Sequence, residues 1–201
     1  MDKGPTKIFL IRHGEVANAI DKCYNGHYDI DLSTEGLRQM ERIADRLENE
    51  PIKAVYSSDL LRATKGARII AERHSLEAIS LKELRELNYG IWEGKRVDDI
   101  KRLYPEDVEA RYNDIVNFRI RGGETLREMR ERVLMGIEGI INNHRDESVV
   151  VVAHGGVNRI IIVWSLNMDL MNFFRIKQDY AALNIISFYN NEKAIVELMN
   201  G

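Results

Sequence analysis

Several side chains able to carry nucleophilic, acid–base or anion-binding chemistry stand after predicted strands of this sequence. His13 follows the apolar run KIFLI, His154 follows SVVVVA, and Arg62 and Glu86 come within a few residues of two further predicted strands. In open α/β sheets, ligands bind in the crevice at the carboxyl ends of the strands. We therefore expect these four side chains to converge on one site.

The residue types in this set favour phosphoryl transfer. Arg12 enters a buried strand end, where it is costly without an anionic partner, and arginine forks match phosphate oxygens bidentately. A histidine that is neutral near pH 7 can attack phosphorus and form a phosphohistidine. A carboxyl group such as Glu86 can protonate the leaving oxygen, while His154 and the arginines stabilise the transferring group. This chemistry needs no metal ion.

Each of these residues alone has a less specific interpretation. A single histidine at a strand end is more often a turn or core residue, Arg62 could lie at the surface, and Glu86 could be one more solvated carboxylate. The sequence AHGG adds support, because its glycines would let backbone N–H groups at a helix start face an anion. The hypothesis therefore depends on the combination.

Strand and helix patterns alternate along the chain and form the scaffold of this site. Apolar runs predict strands at KIFLI, residues 53–58, residues 78–81 and SVVVVAH, and a closing hairpin of LNIISFY and AIVELMN, split by NNEK. Helical patterns lie between the first four strands. The alternation predicts a three-layer α/β fold, with a mostly parallel sheet and helices on both faces.

Local signals predict where several helices begin. Ser33 is predicted to cap the first helix and Asp59 the second, and Thr125 with Glu128 makes a capping box for a helix that reaches about residue 143. Two weakly periodic polar helices are predicted at residues 97–104 and 106–117. We expect them to form a small helical insertion, about residues 95–121, over the site.

Composition narrows the class of protein and its partners. At 201 residues, 44% hydrophobic and 30% charged, the chain suits one domain spanning residues 1–201. Its net charge of −3 comes from interleaved acidic and basic residues, so nucleic acid is not an expected partner. The single Cys23 excludes an internal disulfide framework, and no apolar run is long enough to span a membrane. We expect a soluble cytoplasmic protein; its oligomeric state stays open, although small domains of this kind often form homodimers.

Five motifs resemble those of the histidine phosphatase superfamily, whose fold is phosphoglycerate mutase-like. They are LIRHGE, SSDLLRA, LRELNYGIWEG, GGETL and VVAHGG, and they occur in the family's order over essentially the whole chain. The resemblance implies a phosphatase that works through a phosphohistidine, with neither a metal site nor a cofactor.

The resemblance also implies a role for each matching residue. His13 would be the phosphorylated nucleophile, Arg12 and Arg62 would bind the phosphate, His154 would be the second histidine and Glu86 the proton donor. Five further residues would contact the substrate. These are Gly14, Asn18, Asn25, Gly26 and Gly155, the last through its backbone N–H.

Two positions depart from the family pattern. Val16 stands where the family usually has Thr or Ser, and Ala19 stands where it has a phosphate-binding Asn. Asn18 lies one residue early, and a small adjustment of the loop would bring it to the phosphate.

Within the family, the compact length and the motif wording resemble small bacterial phosphatases, including α-ribazole phosphatases and phosphoserine phosphatases. We expect a phosphomonoesterase acting on a small phosphorylated metabolite, with α-ribazole 5′-phosphate as one candidate. Three alternatives stay open. They are a cofactor-dependent phosphoglycerate mutase, an inactive module that binds phosphorylated ligands, and a metal-dependent hydrolase with His13 and His154 as ligands, although few acidic residues accompany these histidines.

Overall fold

The computed structural model describes residues 4–189 and 193–201. Within these ranges the predicted alternation of strands and helices is confirmed. The strands are β1 (Thr6–Arg12), β2 (Ile52–Ser58), β3 (Ala78–Leu81), β4 (Ser148–Ala153), β5 (Leu183–Phe188) and β6 (Ala194–Leu198). The α-helices are α1 (Thr34–Leu47), α2 (Leu61–Arg73), α3 (Val97–Leu103), α4 (Pro105–Asn113), α5 (Leu126–Asn143) and α6 (Gly155–Ser165).

The six strands form one sheet in the order β3-β2-β4-β1-β5-β6. The first four of these pair in parallel, whereas β5 runs antiparallel to β1 and β6 runs antiparallel to β5. The mostly parallel sheet and the closing hairpin are therefore confirmed. Residues 190–192, which belong to the NNEK connection of that hairpin, lie outside the described residues.

Helices cover both faces of the sheet, as the fold class requires. One core cluster joins alternate residues of β1 and β4, such as Leu10 and Val151, to α5 and α6. The other joins the intervening residues, such as Phe9 and Val152, to α1 and α2. Because β4 is buried on both faces, an unbroken run of valines satisfies both clusters.

Two of the three predicted caps are confirmed. The Ser33 hydroxyl accepts a hydrogen bond from the Gly36 N–H at 2.9 Å, and Thr125 and Glu128 form the capping box of α5. The prediction for Asp59 is wrong. Its carboxylate instead accepts two 2.7 Å hydrogen bonds from Arg85, and the start of α2 has no side-chain cap from its own N-cap residue.

The helices α3 and α4 fall within the segment predicted as an insertion. They pack on a small apolar cluster centred on Trp92, Ile100 and Ile120, which Tyr24 and Tyr89 join from the loops beside the site. The second predicted helix was too long at its end, because α4 stops at Asn113. The Asp114 carboxylate accepts the Asn117 N–H at 2.9 Å, and this local turn replaces further helix.

In the described ranges, none of the helices is both long enough and apolar enough to cross a membrane.

The start of α1 packs against the loop that follows β1 with no room for a side chain. A Cβ on Gly36 would lie 2.0 Å from the Glu15 carbonyl oxygen, and a Cβ on Gly14 would lie 2.3 Å from the Gly36 carbonyl oxygen. Since both obstacles are backbone, they cannot move without displacing the loop that carries His13.

Gly36→Ala should therefore destabilise the protein by about 1–3 kcal/mol through overpacking. Gly139→Ala is the matched control. Gly139 lies within α5 on its solvent-exposed side, and the position of its Cβ would have no neighbouring heavy atom within 4 Å. This control should stabilise the protein by about 0.5–1 kcal/mol through helix propensity. Urea denaturation of both variants measures the difference, and shifts of the same sign would contradict the packing argument.

Candidate active site

The two histidines meet because β1 and β4 are neighbours in the sheet. Arg12 pairs with Ala153 in the parallel register, and the His13 N–H donates to the Ala153 carbonyl at 3.0 Å. The next residue of each strand is therefore a histidine at the same edge. The ring centroids of His13 and His154 lie 5.1 Å apart with an interplanar angle of 64°.

Hydrogen bonding fixes the tautomer of His13. Its Nδ1 lies 2.7 Å from the Gly14 carbonyl oxygen. A carbonyl can only accept, so Nδ1 carries the proton and Nε2 keeps its lone pair. The orientation of His13 thus leaves Nε2 as the nitrogen with a free lone pair.

Burial and charge keep both imidazoles neutral. Burial lowers the pKa of His13 well below its ordinary value, and the nearby Arg62 and Arg12 lower it further. The pKa of His154 is lowered well below its ordinary value by the same burial and by Arg62. Neutral imidazoles beside two cations form a pocket suited to an anion.

The two arginines of the pocket are held by backbone carbonyl groups. Arg12 donates from Nη1 to the Gln178 carbonyl at 2.6 Å, and its guanidinium carbon lies 4.1 Å from the Tyr180 ring centroid. Arg62, which is 1% exposed, donates to the carbonyls of Gly26 at 2.6 Å and Tyr28 at 3.1 Å. These contacts orient the guanidinium groups without neutralising their charge.

Unpartnered buried atoms concentrate at this place. Across the described ranges, three of the six buried side-chain polar atoms without a hydrogen-bond partner are Arg12 Nε and the two ring nitrogens of His154. Buried donors and acceptors normally have partners. These three atoms are therefore available to a ligand.

Glu86 reaches the same edge of the sheet from the loop after β3. Its carboxylate accepts the Gly156 N–H at 3.0 Å and the Leu87 N–H at 2.9 Å. The sequence predicted that the glycines of AHGG face an anion from the start of a helix. In the structure, the Gly156 N–H faces an anion of the chain itself, the Glu86 carboxylate. A Cβ on Gly156 would lie 2.1 Å from Glu86 Oε1, so a larger residue at this position would displace the Glu86 carboxylate.

The predicted substrate loop is built around two asparagines that bind each other. The Asn18 amide donates to Asn25 at 2.8 Å, and the Asn25 amide donates back at 3.0 Å. Gly26 has a φ of +47°, and a Cβ there would also lie 2.9 Å from the Tyr89 ring. The loop therefore needs glycine at this position to bring its carbonyl to Arg62.

The surroundings of Gly155 and of Val16 differ from those that the sequence led us to expect. A Cβ on Gly155 would lie 3.1 Å from Arg159 Nη1 and 3.5 Å from Arg12 Nε, so the space beside this glycine faces two guanidinium groups. Val16 is 2% exposed and forms an isolated bridge with Leu32. The residue that stands in place of the family's hydroxyl is thus a core residue.

Sequence reasoning missed two side chains of the site, Arg159 and Tyr180. Arg159 lies on α6 and donates from Nε to the Ile176 carbonyl at 2.7 Å. An arginine beside the apolar run of a buried helix was a usable signal, because such burial is costly. Tyr180 lies over Arg12 and 5.8 Å from the His13 ring, and nothing in the sequence pattern of its loop indicated this.

The sheet order and the cluster of two Arg–His pairs define an α/β protein of the phosphoglycerate mutase-like fold. The α-ribazole phosphatase of Shigella flexneri superposes with a TM-score of 0.90 at 25% identity, covering 98% of this chain and 96% of that one. A model of the histidine phosphatase superfamily (branch 1) matches residues 8–201. The chain therefore belongs to the histidine phosphatase superfamily.

Two curated relatives that are similar to nearly the whole chain are named as phosphatases. Phosphoserine phosphatase 1 of Hydrogenobacter thermophilus is 32% identical over 193 residues, which is 96% of this chain and 91% of the relative. The adenosylcobalamin/α-ribazole phosphatase of Escherichia coli is 28% identical over 197 residues, 96% of this chain and 95% of the relative. The family and these relatives support a hydrolase of the histidine phosphatase type.

The described residues contain no group of three or more His, Cys, Asp or Glu side chains placed to hold a metal ion.

The buried histidines should make the native state less stable in mild acid. Their pKa values are depressed in the folded protein, whereas each imidazole of the unfolded chain titrates near about 6.5. The unfolded state therefore binds more protons as the pH falls below about 6.5. The free energy of unfolding should drop by up to about 1.4 kcal/mol per pH unit for each histidine until its native pKa is reached.

Urea denaturation on both sides of that pH measures the slope. His154→Asn removes one of the two histidines whose pKa lies well below its ordinary value and should make the slope shallower. An unchanged slope in this variant would contradict the assignment of a neutral buried His154.

Proposed function

We propose that this protein is a phosphomonoesterase that hydrolyses a small phosphorylated metabolite through a phosphohistidine on His13. One observation carries the proposal. The Nε2 lone pair of His13 is left free between Arg12, Arg62 and His154, at the edge of the sheet where Glu86 is held. A nucleophile, an anion pocket and an acid thus share one site.

In the first step, His13 Nε2 attacks the phosphorus of the bound ester. The N–P bond forms as the ester P–O bond breaks, and the leaving oxygen takes a proton from the Glu86 carboxyl group. Arg12, Arg62 and His154 stabilise the charge on the phosphoryl oxygens. The products of this step are the free alcohol and phospho-His13.

In the second step, water attacks the phosphorus of phospho-His13. The Glu86 carboxylate takes a proton from that water as the P–N bond breaks, which releases inorganic phosphate and restores His13 with its Nε2 lone pair. Each residue thus returns to its starting protonation state, and no cofactor is consumed.

The names of the relatives indicate which substrates to test first. They point to phosphoserine and to α-ribazole 5′-phosphate, which share a phosphate ester on an aliphatic oxygen. We propose a metabolite of this kind, acted on in the cytoplasm. A homodimer, which the sequence left open, belongs to the same proposal. A phosphate-release screen that includes both compounds and the phosphoglycerates tests it; net isomerisation of phosphoglycerates without phosphate release would favour a mutase.

His13→Asn should abolish both turnover and the covalent phosphoenzyme, because Asn offers no nucleophilic nitrogen. Mass spectrometry of enzyme quenched during turnover measures the phosphorylated species. His74→Asn is a control at the end of α2, on another element. Phosphorylation that survives in the His13 variant would overturn the assignment of the nucleophile.

Glu86→Gln should slow substrates with poor leaving groups far more than p-nitrophenyl phosphate, whose leaving group hardly needs a proton. General acid catalysis is worth roughly a hundredfold or more, so a loss of this order in kcat/KM is expected for an alkyl phosphate. Steady-state kinetics with both substrates measures the ratio. Equal losses on both would assign the proton to another group.

A further inference from the structure

The Arg132 side chain, on α5, is hydrogen-bonded to the backbone of the segment that carries Glu86. Its Nη1 donates to the carbonyls of Glu83 at 2.9 Å and Arg85 at 2.7 Å, and its Nη2 donates to the Glu86 carbonyl at 2.9 Å. One guanidinium group therefore binds three carbonyl groups within four residues. The guanidinium presents these donors from two nitrogens in one fixed plane, which the single nitrogen of an ammonium group does not reproduce.

Glu124 holds the other side of the same guanidinium. It pairs with Arg132 through both carboxylate oxygens, and it accepts the Asn88 N–H at 2.9 Å. The side chains of the pair are only 20% and 16% exposed. Arg132 and Glu124 thus bind the chain on both sides of Glu86, which lies between Arg85 and Asn88.

Other contacts anchor the residues on either side of Glu86, because Leu84 and Leu87 are buried in the core and Arg85 pairs with Asp59. Glu86 lies in neither a strand nor a helix, between short 3₁₀ turns at Lys82–Leu84 and Gly90–Trp92. Its carbonyl is bonded by side chains, Arg132 and the His27 ring at 2.9 Å, and no sheet ladder fixes it. The Glu86 carbonyl itself is therefore held by side chains, among them Arg132 of α5, while its carboxylate is bonded by Gly156 at the start of α6.

We propose that Arg132, locked by Glu124, is a positioning residue for the proton transfer made by Glu86. The proposal rests on the proposed function, in which Glu86 is the acid. Proton transfer requires the carboxyl group within hydrogen-bond distance of the leaving oxygen, and small displacements of a catalytic group cost large factors in rate. Loss of the hydrogen bonds from Arg132 to this segment should therefore slow protonation of the leaving group and leave the attack by His13 unaffected.

Arg132→Lys separates geometry from charge. Lysine keeps the positive charge near the site but cannot bind three carbonyls and a carboxylate together. We expect kcat/KM for an alkyl phosphate to fall by about tenfold or more, within the range of general acid catalysis. The value for p-nitrophenyl phosphate should change by less than about threefold, since its leaving group needs little protonation.

Arg119→Lys is the matched control. Arg119 pairs with Glu128 and donates to the Gly123 carbonyl at 3.0 Å, so it too joins a carboxylate and a carbonyl near Glu124. It makes none of the contacts to the Glu86 segment. The control should retain the wild-type ratio between the two substrates.

Two outcomes would overturn the proposal. Equal losses of kcat/KM on both substrates would show that Arg132 has a structural role only. No loss on either substrate would show that its hydrogen bonds to the Glu86 segment are not needed for proton transfer. If Arg132→Lys lacks a native melting transition, Glu124→Gln carries the test, because it keeps Arg132 and removes one partner that orients it. The same selective loss, smaller in size, is then expected.

Failure of the proposed function gives a different result. If His13 is not phosphorylated in the wild-type enzyme, or if Glu86→Gln lacks the leaving-group dependence, the mechanism itself is wrong. If both of these hold and Arg132→Lys behaves like Arg119→Lys, only the positioning role is wrong.

Discussion

The parallel pairing of β1 with β4 is the interaction on which the site depends. Both strands are buried in the centre of the sheet, and their register aligns Arg12 with Ala153. Each strand then delivers a histidine to the same edge, where the rings meet. A shift of one residue in this register would turn the side chains of one strand to the opposite face. The backbone register between β1 and β4 therefore sets the spacing of the two imidazoles.

The choice of partners for the arginines determines the charge of the pocket. Elsewhere in the molecule, arginines such as Arg73 bind carboxylates at the surface. Arg12 and Arg62 bind carbonyl oxygens, which orient the guanidinium but carry no net charge. Burial, together with the positive charge that remains, lowers the pKa of both histidines and keeps them unprotonated. The same arrangement therefore favours an anion and leaves the Nε2 lone pair of His13 unprotonated.

The structure could be predicted from the sequence where it follows a general rule or a contact between residues close together in the chain. The convergence of His13 and His154 followed from the strand-end rule for parallel sheets, and the caps at Ser33 and Thr125 join residues three positions apart. The failed cap at Asp59 shows the limit. Its carboxylate has a competing partner 26 residues away, and no local pattern reports such a contact.

The support of Glu86 lies beyond that limit for the same reason. Arg132 binds the Glu86 carbonyl across 46 residues, and the Gly156 N–H reaches its carboxylate across 70. The motif AHGG indicated an anion at the start of α6 but not which one. Only the packed fold shows that an internal carboxylate lies there beside the pocket.

The position of Glu86 at the start of α6 links the acid to the second histidine. His154 is the N-cap residue of this helix, and Gly156, two residues later, donates to the Glu86 carboxylate. Any movement of the helix start would shift His154 and the carboxylate together, which preserves their relation to each other. The backbone of Glu86 is tied separately, through Arg132, to α5. Glu86 is thus bonded by two helices that pack on the same face of the sheet, and the orientation of its proposed proton-donating group depends on the packing between them.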